Sequence, residues 1–386
     1  MLKVNPNLDK IEISVIRKIA EACKEYEGGE KPLINLTIGE PDLPQPKIII
    51  DETIGYMKDA KLGYPQLGGM IELREEIGRY YKERYSLNIE PDEIIITVGS
   101  TEGLSTAIKT IIMPGDEVLT PLPVYPGYEP LITLAGAKLI KMDTSRDNFE
   151  LTVDVLKNYV TPQTKAIILN YPSNPSGITI SRENRDEILK FVKENHLYII
   201  SDEVYSEIIF EGEHNSFLQD GYRENVILIN GFSKSHSLTG WRIGYIIASK
   251  KMREYLVKVH QYAVTSASII SQKGALIALK ECKDISSQVE IYKKRAESVY
   301  KKLKEKQISV IKPKGAIYIF VSLDGITKLN SLDFAKSLLE EERVAVVPGI
   351  AFGMDNYIRI SLVKDEEILN EAIDRFINFV NKKDRE

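Results

Sequence analysis

Between about residues 94 and 250, short apolar runs alternate with segments of helical periodicity, and this alternation restricts the chain more than any other feature. The runs at 94–98, 117–120, 166–169, 197–201, 226–229 and 244–248 read as strands. Between them, 102–113, 181–195 and a shorter piece at 206–210 with its following loop carry apolar residues at helical spacing. Strands and helices in this order bury their apolar faces as a mostly parallel sheet with helices on both sides. The expected fold class is therefore α/β.

The flanking segments read differently. In 8–25, Ile11, Val15, Ile16, Ile19 and Ala20 recur at helical spacing, and a short strand over 33–38 is then broken at Gly39. Beyond residue 250, Lys/Glu-rich helices are expected over 250–263 and 270–306, then strands at 316–322, 344–347 and 357–362 and a closing helix. The N-terminal helix has too little apolar surface to stand alone. It is expected to join the C-terminal part in a smaller, discontinuous α+β domain of residues 1–41 and 283–386, beside a large domain of residues 42–282.

Composition removes several classes of function. The 386 residues carry 51 Lys and Arg against 56 Asp and Glu, a formal charge of −5, which is no nucleic-acid footprint. Cys23 and Cys282 are far apart and read as reduced thiols. His196, His214, His236 and His260 form no ligand motif, so no metal is expected. The first residues lack the apolar core of a signal peptide, and no apolar run approaches the ~18 residues of a membrane span. A soluble cytoplasmic protein is expected, with no membrane or nucleic-acid partner.

In a parallel α/β sheet, ligands bind beyond the carboxyl ends of the strands. The first expected strand runs into Gly99-Ser-Thr-Glu-Gly103, and the one at 166–169 into Asn170-Tyr-Pro-Ser-Asn-Pro-Ser-Gly177. The next two deliver Asp202-Glu-Val-Tyr205 and Gly231-Phe-Ser-Lys-Ser235, with Arg242 eight residues past Lys234. Any one of these has a bland explanation. Ser100 and Thr101 at a helix start make an N-cap, Arg242 alone makes a salt bridge, and most lysines are solvated. Together, a helix start with free N–H groups and two hydroxyls makes a phosphate cradle, and Arg242 adds a two-pronged donor. Asp202 is a buried acid in need of a cationic partner. Lys234, in a Gly/Ser loop at the crevice, is placed to be a nucleophile. A buried acid, a nucleophilic lysine, a phosphate cradle and aromatic residues describe a site for pyridoxal 5'-phosphate. There the lysine forms an imine, and the acid keeps the pyridine nitrogen protonated.

The segment Ser233-Lys-Ser-His-Ser-Leu-Thr-Gly-Trp-Arg-Ile-Gly-Tyr245 resembles the lysine signature of the class I/II aminotransferases, which are of fold type I. Asn170–Gly177, Ser201–Tyr205, Gly63-Tyr-Pro-Gln-Leu-Gly-Gly69 and Tyr357-Ile-Arg-Ile-Ser361 extend the resemblance in order along nearly the whole chain. It implies the following roles. Lys234 is the imine-forming lysine and proton shuttle, Asp202 the acid on the pyridine nitrogen, and Tyr205 and Asn174 the pair at the ring hydroxyl. Ser100, Thr101, Ser233 and Arg242 bind the phosphate, and Tyr125 stacks on the ring. Tyr64 reaches the phosphate of the neighbouring subunit, which implies a homodimer with shared active sites. Arg359 clamps the substrate α-carboxylate, while Gly39 approaches that carboxylate with its backbone and Asn174 takes part in the same subsite. The alternation of β-structure by itself puts Tyr357, Arg359 and Ser361 on one face, which suits a solvent face or a cleft equally. The pattern departs from the family at Gly231, where some relatives carry a serine that binds phosphate.

The implied activity is transfer of an amino group between an L-amino acid and a 2-oxo acid, with glutamate and 2-oxoglutarate as the usual pair, in a ping-pong cycle. Tyr125-Pro-Gly-Tyr-Glu-Pro130, Lys258-Val-His-Gln-Tyr262 and Lys312-Pro-Lys-Gly-Ala-Ile-Tyr-Ile-Phe320 resemble the bacterial aminotransferase A group, which implies N-acetyl-diaminopimelate as a substrate. Aspartate and aromatic aminotransferases share the same motifs. A C–S lyase uses the same lysine and cofactor and is the alternative of another class. A transcription regulator with an aminotransferase-like domain would need an added DNA-binding module, and the small-domain helix begins too early for one.

Overall fold

The computed structural model describes residues 3–383 except 27, 29, 30 and 61. Its strands, in chain order, are β1 (Ile34–Asn35), β2 (Ile94–Thr97), β3 (Glu117–Pro121), β4 (Lys138–Met142), β5 (Thr164–Asn170), β6 (Tyr198–Asp202), β7 (Val226–Gly231), β8 (Gly244–Ile247), β9 (Tyr318–Ser322), β10 (Val344–Ala345), β11 (Val347–Pro348) and β12 (Tyr357–Ser361). Among the described residues, seven of these form one sheet in the order β2-β8-β7-β6-β5-β3-β4.

β4, β3, β5, β6 and β7 run parallel, and β8 runs antiparallel to both of its neighbours, β7 and β2. β2 is therefore parallel to β7. This decides where the chemistry collects. The carboxyl ends of β2, β5, β6 and β7 all lie at one edge, and the loop from β7 into β8 begins and ends there too. Ile199, Ile200, Ile227, Leu228, Ile229 and Ile246 are buried on both sheet faces, as expected of strands covered by helices.

A second, antiparallel sheet of order β11-β12-β9 packs Ile358 and Ile360 against a separate apolar cluster that includes Val299, Leu303, Phe334, Phe376 and Phe379. β1 pairs in parallel with β10. The single residue Val346 separates β10 from β11, so the expected strand at 344–347 serves two sheets in succession. Ile19 and Cys23 of the N-terminal segment pack with Leu339 and Ala345.

Several elements differ from expectation. The N-terminal helix spans only Val15–Ala22, flanked by 3-10 turns at Pro6–Lys10 and Cys23–Tyr26. Residues 206–210 form no helix, because their backbone is drawn to another segment: Phe210 N–H donates to Lys314 O at 2.8 Å, and Ala316 N–H to Ile208 O at 2.9 Å. The long helix at 270–306 is two helices, Ile269–Glu281 and Ser286–Glu305. Ahead of the second, whose N-cap is Ile285, Asp284 accepts from Ser286 N–H at 2.9 Å in a local turn. Edge strand β4 has no clear sequence signal, since its two lysines disguise a strand paired on one side only. The helices Lys47–Asp59 and Ile71–Tyr85, ahead of β2, are likewise additions by the structure. No described helix is long and apolar enough to cross a membrane.

Candidate active site

A cavity of about 380 Å³ opens at the shared strand edge. Ser100, Thr101, Tyr125, Asn174, Asp202, Tyr205, Ser233, Lys234 and Arg242 line it from the large sheet, and Gly39 and Arg359 from the other side. Tyr64 is the exception: it lies 92% exposed on the loop after the helix Lys47–Asp59 and is not among the lining residues of its own chain's cavity.

β2 ends in a sharp turn at Gly99, whose φ of +70° suits glycine, and the helix Gly99–Ile111 begins at once. A Cβ on Gly99 would stand 2.6 Å from Arg242 Nη2, so the missing side chain is what lets the guanidinium lie against the helix start. β8 passes directly beneath. A Cβ on Gly244 would stand 2.8 Å from the backbone of Gly99 and Ser100. The helix N-terminus, two hydroxyls and an arginine therefore meet with little free space between their backbones, which suits a phosphate dianion. The glycine at 231 has a similar cause: a Cβ there would meet Ile243 O at 3.0 Å and Gly244 Cα at 3.1 Å, so a serine would press on β8.

The end of β6 sends its polar residues in opposite directions. Ser201 turns away from the cavity and donates to Glu203 at 2.8 Å. Glu203 also accepts from Ser216 Oγ at 2.9 Å and Phe217 N–H at 3.0 Å, and lies 2.7 Å from His214 Nε2. That network is buried and fully used. Asp202 faces the cavity, accepts from Tyr128 Oη at 2.8 Å, and has no cation within ion-pair distance among the described residues. Burial pushes its carboxyl up to about 6, against the pull of the Tyr128 hydrogen bond. Asn170, at the end of β5, steadies both sides of the site: its amide donates to Asp202 O at 2.9 Å and its oxygen accepts from Asn174 N–H at 2.9 Å.

Lys234 leaves the β7–β8 loop and its Nζ donates to Gly39 O at 2.5 Å, across the cavity. The loop is pinned behind it: Ser235 Oγ lies 2.8 Å from His236 Nδ1, and His236 Nε2 lies 3.2 Å from Cys282 O.

The strand face that carries Arg359 lines a cleft and not the solvent. Tyr357 is half-buried, but Arg359 and Ser361 are almost fully buried. Arg359 Nη1 donates to Asn174 Oδ1 at 3.0 Å and its Nη2 to Thr37 O at 2.7 Å, while Nε has no partner. The guanidinium lies 4.4 Å from the centre of the Tyr318 ring and 5.2 Å from that of Phe352. Burial lowers its proton affinity below the ordinary arginine range. A buried cation held only by neutral groups is a receptor for an anion.

These are the groups that pyridoxal phosphate needs. An acid without a cation, a primary amine, an anion cradle at a helix start and a ring surface from Tyr125 share one cavity of suitable size. Sequence reasoning missed Tyr128, Asn170, Thr37, Tyr318 and Ile16 as site residues. Tyr128, Asn170 and Tyr318 stand inside motifs that carry the family resemblance, whereas nothing in the sequence singles out Thr37 or Ile16 for the site.

Residues 31–376 match the family model for aminotransferase class I and II. The chain belongs to that family. Class I/II aminotransferases depend on pyridoxal phosphate, and so does this one. It is 41% identical over 384 residues to a probable N-acetyl-LL-diaminopimelate aminotransferase of Bacillus subtilis, covering 98% of this chain and 96% of the relative. It is 42% identical to a (5-formylfuran-3-yl)methyl phosphate transaminase of Methanocaldococcus jannaschii, covering 97% and 98%. Among solved structures, the aspartate aminotransferase of Thermotoga maritima superposes with a TM-score of 0.93 at 34% identity, covering 98% of this chain and 100% of that one. The aminotransferase fold of type I is thereby shown for this chain, with its mostly parallel sheet and smaller antiparallel one.

Proposed function

We propose that this aminotransferase carries an α-amino group between an L-amino acid and a 2-oxo acid at the cavity described, with glutamate and 2-oxoglutarate as one pair. Arg359 carries the proposal: a buried guanidinium without an acid, facing the same cavity as Lys234 and Asp202, fits the α-carboxylate that both substrates share. When bound, the cofactor supplies an electron sink for the pair of electrons left as the Cα–H bond breaks. The protein's own residues do the rest. Ser100, Thr101, Ser233 and Arg242 hold the phosphate. Asp202 would keep the pyridine nitrogen protonated, Asn174 and Tyr205 would hold the ring hydroxyl, and Tyr125 would cover the ring face. Lys234 would hold the cofactor through its Nζ, and the same Nζ, once free, would serve as the base that takes the proton from substrate Cα. Gly39 and Asn174 complete the carboxylate subsite with Arg359.

N-acetyl-diaminopimelate is the first candidate substrate, after the Bacillus subtilis relative named for it, with aspartate and aromatic amino acids as alternatives on the strength of other relatives. We further propose a cytoplasmic homodimer. On the helix Lys47–Asp59, Ile50, Ile54 and Met57 recur at one face and are exposed, and Leu62, Tyr64 and Leu67 continue the apolar surface along the next loop. A second copy seated there would bring Tyr64 to its neighbour's phosphate site. The division into a large domain of 42–282 and a small domain of 1–41 and 283–386 belongs to the same proposal, and the break in helix at 282–285 supports a hinge there.

The test mixes cofactor-loaded protein with glutamate, aspartate, phenylalanine and N-acetyl-diaminopimelate in turn while the visible cofactor band is followed. Loss of the band with release of the matching oxo acid is expected, and the fastest donor identifies the substrate class. Ammonia release without an acceptor would make the protein a lyase instead. Lys234→Ala is expected to abolish turnover.

A further inference from the structure

Asp202 has two carboxylate oxygens, and the structure treats them differently. Oδ2 accepts from Tyr128 Oη at 2.8 Å, a full hydrogen bond. Oδ1 has only the backbone N–H of Val204, at 3.4 Å, and Asp202 lines the cavity. Tyr128 is itself buried, and its phenol has no other hydrogen-bond partner among the described residues. Its ring meets the Tyr125 ring edge-on, with centroids 5.2 Å apart. Tyr128 opens the helix Tyr128–Leu134, so this one side chain ties the loop after β3 to the end of β6.

We propose that Tyr128 is a positioning residue that anchors Oδ2 of Asp202, so that Oδ1 is presented to the cavity, while its ring fixes the angle of the Tyr125 face. The proposal rests on the assignment of Asp202 to the cofactor's pyridine nitrogen. A carboxylate with one oxygen held cannot rotate freely, and a donor on the charged form favours ionisation. The charged neighbours are consistent with this division of labour. Glu203 points away to His214, and Lys234 stands across the cavity bonded to Gly39. Burial and the Asp202 charge hold the Tyr128 phenol protonated, so it acts as donor throughout the working pH range.

Tyr128→Phe keeps the ring, and with it the contact to Tyr125, and removes only the donor. In cofactor-free protein carrying ¹³C-carboxyl aspartate, with the Asp202 signal assigned by its loss in Asp202→Asn, the ionisation midpoint of Asp202 is expected to rise by about one pH unit, a tenfold gain in proton affinity. In loaded enzyme, kcat is expected to fall about tenfold with KM changed less than about twofold. The kcat effect should vanish in the Asp202→Asn background, since Tyr128 acts through Asp202. An unmoved midpoint together with wild-type kcat in folded Tyr128→Phe would overturn the proposal while leaving the role of Asp202 intact. If Asp202→Asn itself kept wild-type turnover and cofactor affinity, the assignment of Asp202 would fail and this proposal with it. Should Tyr128→Phe not fold, 3-fluorotyrosine at position 128 keeps the packing and strengthens the donor. It is expected to lower the midpoint, and no change would count against the proposal.

Discussion

The Arg359 guanidinium lies 4.4 Å above the Tyr318 ring, almost fully buried, with no carboxylate in ion-pair distance among the described residues. The Tyr318 hydroxyl in turn lies 2.8 Å from that of Tyr205. A cation kept in this way costs stability in the free protein and returns it when an anion binds. Arg359→Leu is therefore expected to lower kcat/KM for amino acids by more than about a hundredfold. The cofactor-free variant should be as stable as wild type or more so, by about 1–2 kcal/mol. Chemical unfolding and steady-state kinetics on the same variant check both halves. A variant that lost stability and activity together would show Arg359 to be structural.

The shape of the proposed carboxylate subsite depends on one missing side chain. A Cβ on Gly39 would clash with Tyr318 Oη, so Gly39→Ala must displace the ring that supports Arg359 or move the backbone whose carbonyl holds Lys234. Substrate binding should suffer more than cofactor binding. We expect KM to rise about tenfold or more, with the cofactor Kd within about threefold, as read from half-reaction rates and from titration of the cofactor-free protein.

The proposed phosphate cradle makes the opposite prediction. Gly99→Ala forces a residue with a Cβ into φ +70° and against Arg242. The backbone cost alone is about 1–2 kcal/mol, and the guanidinium must also move. The affinity for pyridoxal phosphate is expected to fall about tenfold or more, while KM for substrate in fully loaded enzyme stays near wild type. Equilibrium dialysis of cofactor and kinetics at saturation separate the two quantities.

Asp202 gives the cofactor-free protein a pH signature. Its folded value of about 6 lies above the ordinary 3.8, chiefly through burial. Between about pH 4 and pH 6 the native state keeps a proton that the unfolded chain has lost, so this group's contribution falls as pH rises through that window. A gap of about two pH units at about 1.4 kcal/mol each gives about 3 kcal/mol. Asp202→Asn lacks this term, so its stability relative to wild type should climb by about that amount from about pH 4 to pH 7 and then level off. A constant difference across the range would contradict the burial argument.

Much of this was legible in the sequence because its physics is local. Apolar runs and helical periods, set at short range, mark most strands of the large sheet. The residues following each strand then name Ser100, Asn174, Asp202, Lys234 and Arg242, since a parallel sheet collects its strand ends at one edge. The failures share a cause. Residues 206–210 have helical spacing but commit their backbone hydrogen bonds to residues 314–316, a partner roughly a hundred positions away. β4 carries two lysines because it pairs on one side only. The helical pattern runs on through 282–285, yet the first helix closes at Glu281 and a new one starts at Ser286 after a turn in which Asp284 accepts from Ser286 N–H.

What the sequence by itself determined was the fold class, the edge of the sheet where the chemistry collects and the residue types gathered there. These follow from side-chain periodicity and from the order of strands and helices along one chain. Only the tertiary structure decided that the Arg359 face lines a cleft and not the solvent, that Asp202 and not Glu203 turns to the cavity, and that Tyr128 holds it there. Each of those outcomes depends on which distant segment supplies a hydrogen bond or excludes water at that point, and no local pattern of residues carries that information.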